Sequence, residues 1–282
     1  MFAIIGGIVV FGAVVLGYLM EHGNLAVLFQ PAEMVIIFGC ALGAFLVGSP
    51  AKVVGLVVKH IPAVFSGKGR NKEDYLELLA LLNTLFMKIR KDGLIAIEGD
   101  IETPVNSPLF ANYKKLIANK KALDFICDNL KVIISSNMPP HEMESLMEVD
   151  IEAHHHETMI PSQSVAKIAD SLPGFGIVAA VLGVVLTMGK IDQPPAVLGH
   201  SIGAALVGTF LGILMCYGFV GPMAANLEHQ VKEDEAYYHA IKVAMVAFVG
   251  GAAPQLAVEF GRRAVPGKER PTFNELETYL RK

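Results

Sequence analysis

The residue types that most often carry enzyme chemistry are present, but their spacing assembles no site. The run His154–His156 is the strongest candidate for a set of metal ligands. Consecutive helical side chains point about 100° apart, so three adjacent imidazoles cannot converge on one ion, and we interpret the run as a solvated helix face. The cysteines Cys40, Cys127 and Cys216 form no CxxC pair, which excludes a zinc ribbon and a disulfide scaffold. Phosphate loops, Rossmann glycines, GxSxG and HExxH are also missing, so the sequence supports neither an enzyme nor a cofactor site.

The composition is typical of a membrane protein. Of the 282 residues, 53% are apolar and only 18% are charged. The mean hydropathy is +0.49, whereas soluble domains have about 45–50% apolar and about 25% charged residues. The net charge of −4 shows no basic surplus, so nucleic acid is not a predicted partner.

Four stretches are long and apolar enough to span a bilayer, which requires about 20 such residues. They are residues 1–20, 34–51, 171–189 and 200–222. A fifth apolar run, residues 243–258, is interrupted by glycine, proline and glutamine, and predicts buried helix packing instead. The first stretch lacks the basic start and the cleavage site of a signal peptide, so we expect it to be retained.

The distribution of lysine and arginine predicts the orientation of the spans. Only Lys190 of the 23 basic residues lies in the predicted periplasmic loops, residues 21–33 and 190–199. Because cytoplasmic loops are enriched in Lys and Arg, we expect the segment 52–170 and the tail 223–282 on the cytoplasmic side. Four spans then place both termini in the cytoplasm.

The segment between spans two and three has helical periodicity. One apolar stripe runs over residues 73–90 and a second over residues 121–136. A loop is predicted at residues 104–108, and the pair Pro139 and Pro140 breaks the chain again. The predicted fold class is therefore an all-α integral membrane protein with four transmembrane helices and a large helical cytoplasmic domain between spans two and three.

The predicted spans contain no charged residue near their centres, although an ion pathway usually shows one. They are rich instead in small residues, which allow close helix packing. Two interpretations stay open: a packed scaffold that conducts nothing, or a pore wall whose titratable group comes from another polypeptide. Pro173 and Pro222, at the start of span three and the end of span four, are either ordinary helix-end prolines or hinges.

Several strings resemble the MotA family of bacterial flagellar stator subunits. They are QPAEMVII at residues 30–37, SLPGFGIVAA at 171–180, VGTFLGIL at 207–214 and AVEFGR at 257–262. The resemblance runs nearly end to end and keeps the order of four spans and a large cytoplasmic loop. The related energisers ExbB and TolQ share the last two spans but have three spans in total.

The resemblance implies a subunit of a complex with other proteins. MotA subunits form a ring, described as a pentamer, around a dimer of MotB in the bacterial inner membrane. MotB supplies one membrane Asp per chain and anchors to peptidoglycan, which agrees with the missing acid in these spans. Ions that cross between the ring and MotB rotate the ring, and its cytoplasmic loop pushes on FliG of the rotor.

Four positions match residues that the family uses for torque. Arg90 and Glu98 match the charged pair that acts on rotor charges. Exposed charge pairs are worth only about 0–1 kcal/mol each, which suits brief contacts. Pro173 and Pro222 match the two functional prolines, expected to act as hinges.

Two further positions match the wall of the ion path. Thr209 matches the hydroxyl of span four that lines it, although membrane threonines often only bond a helix carbonyl. Ala180 stands where sodium-driven relatives carry a hydroxyl, and its methyl offers no oxygen to Na⁺, so H⁺ is the expected ion. An ExbB- or TolQ-like energiser of an outer-membrane system and a non-conducting scaffold stay as alternatives.

Overall fold

The computed structural model describes residues 2–66, 69–136 and 138–281, and no β-strand occurs within these ranges. The α-helices follow one another as α1 (Phe2–Met20), α2 (Leu25–Leu28), α3 (Pro31–Gly48), α4 (Ala51–Ser66), α5 (Lys72–Asp92), α6 (Glu98–Glu102), α7 (Lys114–Ala118), α8 (Lys120–Ser135), α9 (Pro140–Met188), α10 (Pro195–Met215), α11 (Gly221–Val249), α12 (Pro254–Ala264) and α13 (Phe273–Leu280). Short 3₁₀ turns lie at Leu94–Ile97 and Pro104–Asn106, and a π-helical turn at Cys216–Val220 joins α10 to α11.

The helices group into two units. The membrane unit comprises residues 1–68 and 158–230, and the extramembrane unit comprises residues 69–157 and 231–282. Both α9 and α11 contribute residues to each unit, since each helix runs through the point in the sequence where the units divide.

The number of spans agrees with the sequence. Within the described residues, four helical stretches are long and apolar enough to cross a membrane, and they are Phe2–Met20, Leu25–Gly48, Pro140–Met188 and Pro195–Val249. The predicted all-α membrane class is therefore confirmed. The observed helix bounds differ from the predicted spans in one consequential place: α3 begins at Pro31, three residues before the predicted second span, and therefore includes Glu33.

Glycines let α9 and α10 approach to backbone contact in the membrane unit. A Cβ atom placed on Gly176 would lie 2.7 Å from the carbonyl oxygen of Gly208. A Cβ atom on Gly212 would lie 2.6 Å from the carbonyl oxygen of Leu172. The small residues of the sequence therefore form a tight interface between these two helices, as such residues do in membrane proteins.

The core of the extramembrane unit is shared by segments far apart in the chain. On α5, Tyr75, Leu78 and Phe86 are at most 1% exposed. The ring of Phe86 stacks on Phe248 of α11 with a centroid distance of 4.2 Å, and Tyr75 packs on Tyr237. The tail is therefore part of this core. In the run at residues 243–258, predicted as buried packing, the two helical ends contribute Ala244, Met245, Ala257 and Val258 to this core, whereas the turn at Gly250 and Gly251 and the side chain of Leu256 are exposed.

Candidate functional site

Ala180 and Thr209 come together at the α9–α10 interface. Ala180 is buried and Thr209 is half-buried. A Cβ atom on Gly208, the neighbour of Thr209, would lie 3.2 Å from the backbone nitrogen of Ala180. The two residues thus occupy the same level of the helix pair, although 28 positions in the chain separate them.

Glu33 is the residue of this site that sequence reasoning missed. Its side chain is only 8% exposed, and its carboxyl oxygen Oε2 is buried without a hydrogen-bond partner among the described residues. A Cβ atom on Gly208 would lie 2.5 Å from Oε2, and one on Gly183 would lie 3.3 Å from Oε1. The carboxyl group therefore lies against both α9 and α10.

A signal for this placement exists in the sequence. Proline is favoured in the first turn of a helix, so Pro31 marks a helix start ahead of Glu33. The charge pattern predicts a second span that starts after this acid, and so assigns Glu33 to the loop 21–33. The structure corrects that assignment, since Glu33 belongs to the first turn of α3 and faces inward. The membrane unit thus contains a buried acid of its own.

The two prolines mark irregular points of long helices. Pro173 lies inside α9 and is half-buried, and it has no N–H to donate to the preceding helical turn. Pro222 is exposed and follows the π-helical turn, in which the N–H of Gly221 donates to the carbonyl of Cys216. Pro161 is a second proline inside α9, and the sequence analysis does not single it out. Such points are where long helices bend most easily.

Arg90 and Glu98 lie on either side of a tight turn in the extramembrane unit. Arg90 is in the last turn of α5 and Glu98 begins α6, and both are exposed. Gly93 between them has φ +89°, and its N–H donates to the carbonyl of Ile89 at 2.9 Å. Ile97, fully buried, anchors the turn beneath Glu98.

A half-buried carboxylate fixes this turn to α5. Asp100 accepts from Lys88 Nζ at 2.6 Å and from the Ser107 hydroxyl at 2.6 Å. Burial of Asp100 opposes its ionisation, but the hydrogen bonds from Lys88 and Ser107 outweigh burial and hold its pKa below the ordinary value. We call residues 88–107 the charged arm, because this network fixes the segment that carries Arg90 and Glu98.

Fold and site together define an all-α membrane protein with a glycine-packed helix pair and an exposed charged arm. The family model of the motility protein A N-terminal domain matches residues 4–93, and that of the MotA/TolQ/ExbB proton channel family matches residues 117–240. Motility protein A of Salmonella typhimurium and that of Escherichia coli are each 45% identical to the chain over 281 residues, covering 100% of it and 95% of each relative. The chain belongs to the motility protein A family, so the resemblance seen in the sequence is confirmed.

Further relatives and solved structures agree in extent and fold. Chemotaxis protein LafT of Vibrio parahaemolyticus is 38% identical over 94% of this chain and 93% of its own. The structure of C. jejuni MotAB matches with a TM-score of 0.78 at 19% identity, covering 96% of this chain and 98% of that chain. The MotAB stator complex of Bacillus subtilis matches with a TM-score of 0.73 at 23% identity, covering 95% and 97%. At these identities the structures show that the fold is shared.

Proposed function

We propose that this chain is a ring-forming stator subunit of the flagellar motor, which conducts protons together with a MotB-type partner and turns a rotor. The full-length match to motility protein A supports the proposal. The observation that carries it is the α9–α10 interface, where Ala180 and Thr209 reach the same level of a helix pair packed on glycine. Because its residues are small, this interface presents a surface without large side chains, along which a helix of the partner can move.

The proposed ion is the proton, and the proposed partner supplies the acid that binds it. A proton that reaches the partner's Asp from the periplasm removes the cost of a charge in low dielectric. The contacts between that Asp and the wall at Ala180 and Thr209 then change, and the ring advances by one subunit. The membrane potential contributes about 2.3 kcal/mol per charge per 100 mV.

The charged arm is the proposed contact with FliG of the rotor. Arg90 and Glu98 are exposed and carry opposite charges, while the hydrogen bond from Lys88 to Asp100 joins the two ends of the segment that carries them. Exposed charges give weak and rapidly reversible contacts, which suit a surface that is released at every step. Pro173 and Pro222 are the proposed hinges that pass motion from the wall to this arm.

The proposed location is the bacterial inner membrane, with both termini and the extramembrane unit in the cytoplasm. The distribution of lysine and arginine supports this orientation, since Lys190 alone lies on the opposite side. A pentamer of this chain around two MotB-type subunits is the proposed assembly, and the four helices long and apolar enough to cross a membrane support its location in the lipid bilayer.

The test is to express the chain with a MotB-type partner in a bacterium that lacks stators and to score swimming in low-sodium medium. We expect swimming without sodium, and its loss when Arg90→Glu and Glu98→Lys are combined. Reversal of two exposed charges away from the arm, Lys114→Glu with Glu152→Lys, is the matched control and retains swimming. Swimming only with sodium contradicts the proton assignment. An inserted protein that never supports swimming contradicts the stator proposal.

A further inference from the structure

Two glutamates of this chain are equally buried but differ in their partners. Glu33 and Glu77 are each 8% exposed. Glu77 accepts hydrogen bonds from the backbone N–H groups of Lys115 at 2.7 Å and Leu116 at 3.1 Å, as a structural carboxylate does. Oε2 of Glu33 is buried with no such donor among the described residues. A purely structural role leaves that oxygen unexplained.

No charge of the opposite sign balances Glu33 from the helices packed against it. From Ser171 to Met188 on α9 there is no titratable side chain. On α10 the one such side chain is His200, in the exposed second turn, and on α3 it is Cys40, also exposed. An ionised carboxylate in such surroundings is costly, whereas a protonated one is neutral and can donate a hydrogen bond.

The carboxyl group lies within reach of the proposed ion wall. Gly208, which Oε2 approaches, is adjacent to Thr209 in sequence and to Ala180 in space. Gly183, which Oε1 approaches, is five residues from the end of α9 at Met188, or about 7–8 Å along the helix axis. That end joins the loop predicted to face the periplasm. Glu33 therefore lies between the periplasmic end of the pair and the level of Ala180.

The glycines beside Glu33 create the space that it occupies. A methyl group on Gly208 would collide with Oε2, and one on Gly183 would collide with Ala205 and approach Oε1. Because neither glycine has a side chain, the carboxyl group of Glu33 can lie directly against the backbone of both α9 and α10. Small residues at these positions thus admit an acid into the interface as well as permitting helix contact.

We infer that Glu33 is a proton-binding site on the periplasmic side of the ion path, loaded before the partner's acid. The inference rests on the proposed function. In the step, a proton from hydronium forms an O–H bond at Oε2 and leaves water behind. That bond then breaks as the proton passes, through water, to the carboxylate of the partner's Asp, and Glu33 returns to its ionised form.

The experiment uses the full chain assembled with a MotB-type partner in lipid vesicles. Proton flux is followed with a pH-sensitive dye under an imposed pH gradient, and infrared difference spectra record protonated carboxyl groups. The variants are E33Q, which keeps the shape but binds no proton, and E33D, which keeps an acid. E77Q is the matched control at an equally buried but hydrogen-bonded glutamate. The amount of inserted protein is measured for each variant.

We expect the proton flux to fall about tenfold in E33Q. This loss is smaller than the loss of an indispensable proton-transfer group would cause, because water can carry protons past position 33. E33D retains most of the flux and E77Q all of it. A protonated-carboxyl band is lost in E33Q and kept in E77Q. Unchanged flux in E33Q, or lower flux with an unchanged band, overturns the inference.

Failure of the proposed function is distinguishable from failure of this inference. A wild-type complex that passes no protons counts against the stator proposal alone. Infrared titration of the chain without its partner then tests Glu33 by itself. Loss of the protonated-carboxyl band in E33Q shows that Glu33 binds a proton, and a retained band shows that it does not. If E33Q does not insert into the membrane, E33D takes its place. A protonated-carboxyl band at a different frequency in E33D than in the wild type supports proton binding at Glu33, and a band at the same frequency overturns the inference.

Discussion

Gly176 shows how a single residue controls the contact between α9 and α10. A Cβ atom there would lie 2.7 Å from the carbonyl oxygen of Gly208 and 3.1 Å from Cα of Gly212. Both are backbone atoms, so the helices would have to separate to admit a methyl group. Gly174, two residues earlier on the same helix, has nothing within 4 Å of the corresponding position. These two glycines form a matched pair of substitution sites.

We predict that G176A lowers the stability of the detergent-solubilised chain by about 1–3 kcal/mol, the usual cost of overpacking. G174A meets open space, so its expected effect is only the helix propensity of Ala over Gly, a rise in stability of at most about 1 kcal/mol. Thermal unfolding followed by circular dichroism measures both variants. Equal melting temperatures for G176A and the wild type would show that the interface yields without cost.

The charged arm is held in position by the side chain of Asp100. The turn at Gly93 reverses the chain, and the 3₁₀ turn Leu94–Ile97 offers few backbone bonds to hold it. Asp100 compensates by joining Lys88 of α5 to Ser107 at the end of the arm. Asp128 and Lys131, by contrast, form an exposed pair within the single helix α8.

We predict that D100N loosens the arm and lowers the free energy of unfolding by about 1–2 kcal/mol, the lower end of the range for a charged hydrogen bond, because Lys88 is partly exposed. Faster amide hydrogen exchange over residues 94–107 is the local measurement. The control D128N removes the exposed Asp128–Lys131 pair and should cost at most about 0.5 kcal/mol. Exchange in D100N as slow as in the wild type would mean that the turn is held by Ile97 and its neighbours instead.

The pH dependence of this effect has a definite sign. Because the pKa of Asp100 is lowered in the folded protein, its ionised form stabilises the fold at pH values above the ordinary pKa of an Asp carboxyl. That contribution disappears as the pH falls through the lowered pKa. The difference between D100N and the wild type should therefore be full near neutral pH and shrink in acid.

At the scale of the whole molecule, the tail at residues 223–282 contributes to the same core as α5 and α8 in the extramembrane unit. Arg262 donates two hydrogen bonds to Glu259, at 2.6 and 2.7 Å, and a third to the carbonyl of Pro271 at 2.8 Å. Arg263 donates to the same carboxylate. The hydrogen bond from Arg262 is the main cause that lowers the pKa of Glu259 to about 2. This network connects α12 to the segment that leads into α13.

We predict that E259Q lowers the thermal stability of the full chain at neutral pH, by about 1–3 kcal/mol for a half-buried, doubly hydrogen-bonded charged pair. Since the folded pKa lies below the ordinary Glu value, this contribution is present above about pH 4.5 and is lost as the pH falls toward about 2. Melting curves across that range measure it, with E277Q at the exposed Glu277–Arg281 pair as control. An offset between E259Q and the wild type that stays constant into strong acid would contradict the ion-pair explanation.

Local patterns in the sequence determined the all-α class, the number of spans and the family. Each depends on a property that a short segment carries by itself, such as an uncharged stretch of about 20 residues or an apolar stripe of helical period. The exposure of Arg90 and Glu98 also follows from local sequence, because charged residues at the end of one helix and the start of the next tend to face solvent.

Only the tertiary structure decided that Glu33 is buried, that Asp100 fixes the charged arm and that the tail belongs to the extramembrane core. Each depends on groups brought together from distant parts of the chain, such as Glu33 with Gly208 or Phe86 with Phe248. A count of charges cannot distinguish an acid at a helix end that faces water from one that faces two glycines. The difference lies in which surfaces meet, and long-range packing sets that.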